Sequence, residues 1–263
     1  MSTVSDHRPL VSRRNGRLTL EFQPGAVQSQ MDLRDPHRLV LAYARAMMCF
    51  VLFKPRPAHI VMVGLGGGSL AKFCHRYLPA ARITVLELRE DVIALREHFE
   101  IPPDCERFRI VHADAARHMP QLAGSVDVLL VDGFDDDGLP PALSSARFYA
   151  DCRRALRPDG VLVANIFSYD PHYRTMLRRL QHCFGNHVGQ LRGIAGNNRI
   201  VFAHRAVPGT HTRAGALMRR LATWGSPWPC LGFGPVNQLL AHRVVAGLRA
   251  AAHGGRDSAS RQQ

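Results

Sequence analysis

The feature that most restricts the fold of this chain is a short apolar run that leads through glycines into a helical segment. Ile60 to Val63 is continuously apolar, five residues from Gly64 to Gly68 include four glycines, and Ser69 stands where a helix to about Tyr77 can begin. A strand that runs through glycines into a helix brings backbone N–H groups close to a ligand, because glycine has no side chain in the way. The run therefore predicts a ligand-binding strand–loop–helix unit, and its loose spacing does not name the ligand.

The same alternation of apolar runs and helical segments continues along the chain. After the strand at 60–63, further strands are predicted at 83–86, 108–112, 126–131 and 161–166. Helices are predicted at 69–77 and 90–99, from about 115, from Ser144 or Ser145 through Leu156, and at about 171–184. Ser69 and either Ser144 or Ser145 are predicted as helix caps, and Pro158-Asp159-Gly160 predicts a turn. Strands that are apolar on both faces and alternate with helices at this pitch are typical of a doubly wound parallel sheet. We therefore predict an α/β chain with a Rossmann-like sheet.

The chain after this alternation carries a hairpin pattern. Runs at 188–192 and 200–203 flank Gly196-Asn197-Asn198, a turn that favours an antiparallel hairpin. A terminal antiparallel hairpin on a parallel sheet is typical of the class I methyltransferase-like fold. Two amphipathic helices are predicted beyond it, at 215–224 and 236–251.

The segments outside the sheet define the expected domain organisation. Residues 1–16 are polar and basic and are expected to be loose. The segments 17–22 and 26–31 predict a small β-hairpin, and apolar residues at helical spacing from Pro36 to Pro55 predict a helix. We expect four parts, which are a flexible N-terminus with a small β-hairpin element (1–35), a Rossmann-like nucleoside-binding catalytic domain (36–206), a helical extension (207–252) and a disordered tail (253–263).

The net charge of the chain is distributed unevenly. The formal charge is +13, and residues 151–263 carry 16 Arg against 4 Asp, so almost all of the excess lies in that part. A basic surface can bind nucleic acid or an acidic membrane. However, the arginines are scattered and are not interleaved with aromatic residues that could stack on bases. We therefore interpret the excess as compositional bias and keep nucleic acid as a partner that is not favoured.

Cysteine spacing and hydropathy bear on the compartment. The six cysteines contain no C-x-x-C pair, so the sequence predicts neither a disulfide framework nor a metal site. No uncharged apolar run reaches the roughly 18 residues of a membrane span, and the N-terminus has no apolar signal core. We expect a cytoplasmic protein that does not bind membranes.

A carboxylate follows each of three neighbouring strands of the predicted sheet. Glu87 ends the second strand, Asp114 follows the third and Asp132 follows the fourth. Because the carboxyl ends of parallel strands meet at one edge of a sheet, we expect these side chains to line one crevice. A carboxylate about 20 residues beyond a glycine loop can accept hydrogen bonds from both ribose hydroxyls. The other two suit an adenine amino group and a reactive cation, so the set favours an S-adenosylmethionine-type cosubstrate over a dinucleotide.

From Gln28 to Ala203 the chain resembles the spermidine synthase (polyamine aminopropyltransferase) family, especially its bacterial spermidine-synthase-like branch. The resemblance is carried by motifs that occur in the family's order: Val27-Gln28-Ser29, Val63-Gly64-Leu65-Gly66-Gly67-Gly68-Ser69, Leu86-Glu87-Leu88, Ala113-Asp114-Ala115, Asp127 to Asp132 with Asp135, Arg147-Phe148-Tyr149, and Leu156 to Val163. It implies a small N-terminal β-element before a Rossmann-like domain, and a homodimer.

The resemblance also implies roles for individual residues. It implies a nucleoside site that includes Gln28, Glu87, Asp114 and Ala115, beside the glycines Gly64, Gly66 and Gly68. In the family, the second acid of the motif after the fourth strand is the base that accepts the proton of the attacking amine. Asp135 has that position, with Asp132 ahead of it in the same acidic loop and Asp136 and Asp137 after it. The implied reaction moves an aminopropyl group from decarboxylated S-adenosylmethionine to a small amine acceptor, without a metal.

Three departures from the family pattern fall in the acceptor half of the site. Gly67 replaces an acid of the glycine loop, Arg89 replaces an acid two positions after the ribose-binding Glu, and a Tyr-His-Glu segment has no clear counterpart, since His37 and Tyr43 are wrongly spaced. Two alternatives therefore stay open. One is a methyltransferase that uses intact S-adenosylmethionine, and the other is a nucleoside-binding homologue without catalytic activity.

Overall fold

The computed structural model describes residues 8–134, 138–194, 196–207, 209, 216 and 234–259. The strands are β1 (Leu10–Arg14), β2 (Arg17–Glu21), β3 (Val27–Asp32), β4 (His59–Val63), β5 (Arg82–Glu87), β6 (Phe108–His112), β7 (Val126–Val131), β8 (Leu156–Phe167), β9 (Val188–Leu191) and β10 (Asn198–His204). The helices are α1 (Ala42–Met47), α2 (Ser69–Tyr77), α3 (Glu90–Ile93), α4 (Ala115–His118), α5 (Ala146–Ala155), α6 (Tyr173–Phe184) and α7 (Gly234–Ala259).

A seven-stranded sheet forms the centre of the molecule, in the order β6-β5-β4-β7-β8-β10-β9. The pairs from β6 to β8 are parallel, and β10 runs antiparallel to both β8 and β9. The predicted Rossmann-like sheet with a terminal antiparallel hairpin is therefore confirmed. The chain leaves β4 in one direction to form β5 and β6 and returns on the other side as β7. A crevice opens at such a reversal, beyond the carboxyl ends of the strands.

The central strands are buried on both faces, because successive side chains of a strand point to opposite sides. Ile60 and Met62 of β4 face one core, which also takes side chains from α1, α2 and α7. Val61 and Val63 face the other core, which is covered by α4, α5 and α6. This double burial explains why the strands read as continuous apolar runs in the sequence.

The N-terminal segment is more ordered than the sequence indicates. We expect residues 1–16 to be loose, but Leu10–Arg14 forms β1, and a three-stranded antiparallel sheet results, in the order β1-β2-β3. Asn15 and Gly16 join β1 to β2 with φ angles of 51° and 71°. An Asn-Gly pair with two positive φ angles is a strong hairpin signal. The prediction overlooked this signal, and residues 1–7 lie outside the described chain.

The helix predicted from Pro36 to Pro55 is shorter in the structure. The α-helix α1 covers only Ala42–Met47, and a 3-10 helix at Met48–Leu52 continues it. The Arg45 guanidinium donates to the carbonyl oxygens of Leu39 and Val40, at 2.7 and 2.6 Å. These carbonyls are therefore satisfied by a side chain and not by an additional helical turn.

Helix α3 is also shorter than predicted. We expect a helix from Glu90 to Phe99, but the α-helix ends at Ile93, and the chain continues in turns to Glu100, whose φ is +50°. Phe99 is fully buried, and its ring packs beneath the glycine loop. This tertiary contact sets the path of the chain after Ile93.

Two predicted helix starts and one predicted turn can also be compared with the structure. Ser69 is the first residue of α2, and Gly68 precedes it as the cap, so the predicted capping role of Ser69 is wrong. The predicted alternative Ser145 caps α5, since its hydroxyl accepts from the Phe148 N–H at 3.1 Å. The turn predicted at 158–160 lies inside β8, which starts at Leu156.

The helix predicted at 236–251 is confirmed as α7, which extends to Ala259, past the point where we expect the tail to begin. The helix predicted at 215–224 lies almost wholly outside the described residues. Within the described chain, every helix is too short or too polar to cross a lipid bilayer.

Lys72 of α2 is fully buried and provides a test of the core. Its ammonium donates to the carbonyl oxygen of Phe99 at 2.5 Å, and burial lowers its pKa from 10.5 to about 8, against an opposing effect of the Glu100 charge. The unfolded chain therefore binds the proton more tightly than the folded chain between about pH 8 and pH 10.5. We expect the free energy of unfolding of the wild type, relative to Lys72→Met, to rise by up to about 1.4 kcal/mol per pH unit in that range.

Urea unfolding of both proteins across this pH range measures the difference. Taking the difference between the two proteins cancels the titration of all other groups. A difference that stays constant with pH would show that the Lys72 ammonium is solvated as well in the folded chain as in the unfolded one.

Candidate active site

A cleft of about 310 Å³ lies at the carboxyl ends of β4, β5, β7 and β8, where the sheet reverses direction. It is lined by seven of the residues that the sequence singles out: Gln28, Gly64, Gly66, Glu87, Asp114, Ala115 and Asp132. The fold thus brings together side chains that are separated by more than 100 residues of sequence. Gly68 does not line the cleft and instead faces Ile101 of the core.

The glycine loop passes close to the neighbouring strand at Gly64. The φ of Gly64 is +93°, and a Cβ at this position would lie 2.5 Å from the carbonyl oxygen of Asp132. Backbone hydrogen bonds of 2.9 Å join Gly64 to Leu86 and Asp132 to Val63. Only glycine fits this approach, so the loop and Asp132 are held in register by the backbone.

Replacement of Gly64 by alanine should therefore destabilise the fold by about 3 kcal/mol, from the positive φ and the contact with backbone that cannot move away. Gly124→Ala is a matched control, because Gly124 also has a positive φ, of +63°, but nothing lies within 4 Å of its added Cβ. The control should lose only about 1 kcal/mol. Thermal or urea unfolding measures both, and equal losses would contradict the close approach.

Glu87, at the end of β5, is the most buried acid of the cleft, with 8% of its surface exposed. Its two carboxylate oxygens accept hydrogen bonds from the backbone N–H groups of Leu65 and Arg89, at 2.7 and 2.9 Å. Burial raises the pKa of Glu87, and these N–H donors oppose the rise. A carboxylate has about four acceptor positions, so Glu87 retains acceptor capacity beyond these backbone donors.

Asp114 and Ala115 lie at the start of α4, on the same side of the cleft. Asp114 caps this helix by accepting from the Ala116 N–H at 2.9 Å, and its other oxygen lies 3.5 Å from the Arg117 guanidinium. Gln28 reaches the cleft from β3 of the N-terminal sheet. This small sheet thus forms part of the wall of the site.

Asp132, just after β7, also lines the cleft and has a different environment. Its Oδ1 accepts a hydrogen bond from the Asn165 side chain at 3.0 Å. The Tyr43 hydroxyl, which donates to the Gln28 carbonyl oxygen at 3.4 Å, also lowers the pKa of Asp132. Burial raises the pKa of Asp132 to about 6, in spite of both side chains. Asp132 is therefore a carboxylate that is ionised at neutral pH and holds a proton more tightly than an ordinary aspartate.

Sequence reasoning missed three residues around Asp132. From the sequence alone we consider Tyr43 wrongly spaced, but α1 brings it into the cleft near Asp132. Burial raises the pKa of Tyr43, and the negative charge of Asp132 raises it further. Asn165 and Asn198 come from β8 and β10, and the Asn198 amide donates to the Asn165 oxygen at 2.8 Å. The sequence contained a signal for Asn165, since it is a polar residue inside the apolar run 161–166. In the structure this side chain is 2% exposed.

Asp135 and Gly67 are two positions that the family resemblance relates to the amine acceptor. Asp135, together with Asp136 and Asp137, lies outside the described residues. At Gly67, an added Cβ would lie 2.7 Å from both the Phe99 ring and the Ser29 hydroxyl. The fold thus fills the space that a side chain at position 67 would need.

Comparison with known proteins places this cleft in a family. The family model "Spermine/spermidine synthase domain" matches residues 40–186, more than half of the chain. A polyamine aminopropyltransferase of Chromobacterium violaceum is 41% identical over 199 residues, which cover 75% of this chain and 76% of that protein.

Solved structures share the fold. A probable spermidine synthase of Corynebacterium glutamicum has a TM-score of 0.66 at 22% identity and covers 83% of this chain and 85% of its own. A spermidine synthase in complex with the transition-state analogue AdoDATO has a TM-score of 0.60 at 19% identity, with 79% and 73% covered. At these identities the structures support the fold alone, whereas the family model covers the cleft residues from Gly64 to Asp132. The chain belongs to the spermine/spermidine synthase family.

Proposed function

We propose that the chain transfers an aminopropyl group from decarboxylated S-adenosylmethionine to a small amine, with Asp132 as the first candidate for the base. The observation that carries the proposal is the Asp132 carboxylate, which lines the cleft of an aminopropyltransferase-like chain and is held by the Asn165 amide, with a pKa raised to about 6. The amine nitrogen would attack the methylene carbon next to the sulfonium, and the carbon–sulfur bond would break. The sulfur would keep the bonding electron pair and leave as methylthioadenosine.

The nucleoside end of the cleft supports this cosubstrate. Glu87, Asp114 and Ala115 line the same cleft, so Glu87 would accept from the ribose hydroxyls and the other two would contact the adenine ring. The transition-state analogue AdoDATO is bound by a spermidine synthase that has the same fold. The fit is to a nucleoside that carries a sulfonium, which needs no phosphate-binding group.

The need for a base follows from the acceptor. An alkylamine of ordinary pKa, about 10, is protonated at neutral pH and has no free electron pair for attack. A carboxylate whose pKa is raised towards the working pH removes that proton better than an ordinary aspartate does. Asp132 has this property, and the Tyr43 hydroxyl beside it could orient the amine. Asp135, which the family resemblance implies as the base, remains the competing candidate.

A methyltransferase that uses intact S-adenosylmethionine is the second candidate, and Gly67 is the observation that favours it. An acid at this position would repel the carboxylate of intact S-adenosylmethionine, but the space is filled by Phe99 and Ser29. In addition, an eEF1A lysine and N-terminal methyltransferase of Xenopus laevis is 27% identical over 165 residues.

One assay separates these functions. The protein is incubated with decarboxylated or intact S-adenosylmethionine and a panel of diamines and other amines, and the products are identified by mass spectrometry. Methylthioadenosine with an aminopropylated amine supports the proposal. S-adenosylhomocysteine with a methylated amine would replace it with the second candidate. Nucleoside binding without either product would indicate the non-catalytic alternative.

A further inference from the structure

We propose that Asn198 is a positioning residue, which orients the Asn165 amide and thereby keeps Asp132 in the ionised form that a base requires. The catalytic consequence of this inference rests on the proposed function. The contacts that carry it join three side chains in one line, Asn198 to Asn165 to Asp132.

The sheet register brings the two asparagines together. β8 and β10 pair antiparallel, with Asn198 opposite Phe167 and Ile200 opposite Asn165. Residues two apart on a strand share a face, so Asn165 and Asn198 are diagonal neighbours on one face of the sheet. Asn198 Nδ2 donates to Asn165 Oδ1 at 2.8 Å, and Asn165 Nδ2 donates to Asp132 Oδ1 at 3.0 Å.

The orientation of Asn165 matters because the two ends of an amide have opposite polarity. The oxygen accepts hydrogen bonds and the NH₂ group donates them, although both ends have nearly the same size and shape. An ionised carboxylate only accepts, so it is stabilised by the NH₂ end and repelled by the oxygen. Because Asn198 offers a donor to the Asn165 oxygen, the NH₂ group of Asn165 is left to face Asp132. Asn165 is 2% exposed, so water cannot easily replace either partner.

The groups that face Asp132 from the elements around it are few among the described residues. Tyr43 of α1 is the titratable group that interacts with Asp132, and its hydroxyl donates to the Gln28 carbonyl oxygen at 3.4 Å. β8 and β10 contribute the neutral amides, and the glycine loop at 64–68 has no ionisable side chain. Loss of the Asn165 donor should therefore raise the pKa of Asp132 further above its already raised value of about 6.

Two variants test this chain of hydrogen bonds from Asn198 through Asn165 to Asp132, which we call the relay. Asn198→Leu keeps the approximate size and removes the donor, and Asn198→Asp replaces it with a carboxylate that draws the Asn165 NH₂ group away from Asp132. Asn197→Asp is the matched control, because it adds the same charge one residue away on an exposed side chain.

The expected shifts follow from the strength of the lost interaction, since a hydrogen bond to a charged group changes the pKa of that group by roughly one to two units. We expect the acid limb of the rate against pH to move upwards by about half a unit to one unit in Asn198→Leu and by about one to two units in Asn198→Asp. The control should leave it nearly in place.

The same midpoint can be measured without turnover, from the ¹³C NMR titration of the Asp132 carboxyl carbon, assigned with Asp132→Asn. If the wild type forms no methylthioadenosine but the NMR midpoint moves as expected, the proposed function fails and the relay stands. If Asn198→Leu and Asn198→Asp fold, as judged by circular dichroism, and leave the midpoint where it is in the wild type, the relay is overturned. A lower thermal stability with an unchanged midpoint would likewise assign Asn198 a purely structural role.

Discussion

Asp132→Asn is expected to lower kcat for aminopropyl transfer by about 1,000-fold, since general base catalysis typically contributes between 100- and 10,000-fold. The substitution keeps the size of the side chain and its place between Tyr43 and Asn165, but an amide cannot take a proton from an ammonium group. The wild-type rate should fall below about pH 6, because the Asp132 carboxyl is protonated there and cannot accept another proton. In Asp132→Asn this acid limb should be absent.

The comparison that decides the assignment is with Asp135→Asn, measured in the same assay of methylthioadenosine formation. Binding of methylthioadenosine by calorimetry provides the control, and both variants should bind it nearly as the wild type does. Should Asp135→Asn lose turnover while Asp132→Asn retains it, the base would be Asp135, as the family resemblance implies. Retention of turnover by both would remove either aspartate from the role.

Glu87→Gln is expected to weaken the binding of methylthioadenosine by about 100-fold or more. Hydrogen bonds to a charged group contribute about 1.5–3 kcal/mol each, and two ribose hydroxyls would lose such a partner. Glutamine is preferable to alanine here, because its oxygen can still accept from one of the Leu65 and Arg89 N–H groups, although its NH₂ end cannot accept from the other. Alanine would leave two N–H groups without a partner and would disturb the loop as well as the ribose contact.

The ribose contact is isolated by a second ligand, 2′,3′-dideoxy-methylthioadenosine. The wild type should bind this analogue far more weakly than methylthioadenosine, and Glu87→Gln should bind the two with nearly equal affinity. Glu90→Gln is the matched control, because it makes the same chemical change on an exposed side chain of α3. If Glu87→Gln still discriminates between the two ligands as strongly as the wild type does, Glu87 does not hold the ribose.

Most of the sheet could be predicted from the sequence, because its strands are local patterns. The runs at 108–112 and 126–131 match β6 and β7 without any shift of boundaries. Helix bounds were harder to predict, since side-chain contacts decide where a helix begins and stops. Arg45 binds the carbonyl groups of Leu39 and Val40 ahead of α1, and Phe99 packs under the glycine loop beyond the end of α3. The spacing of apolar residues along the sequence predicts neither of these two contacts.

Local patterns in the sequence were enough to predict the glycine loop and the acids that line the cleft. A glycine loop after the first sheet strand and acids after the next three strands must meet at one edge of a parallel sheet, so strand order is enough to bring Glu87, Asp114 and Asp132 together. The protonation state of Asp132, in contrast, depends on contacts that the folded chain creates. Tyr43, Asn165 and Asn198 come from three separate elements, and no local pattern relates them to one another. Their hydrogen bonds and the burial around them set how tightly Asp132 holds a proton, and burial depends on the whole fold.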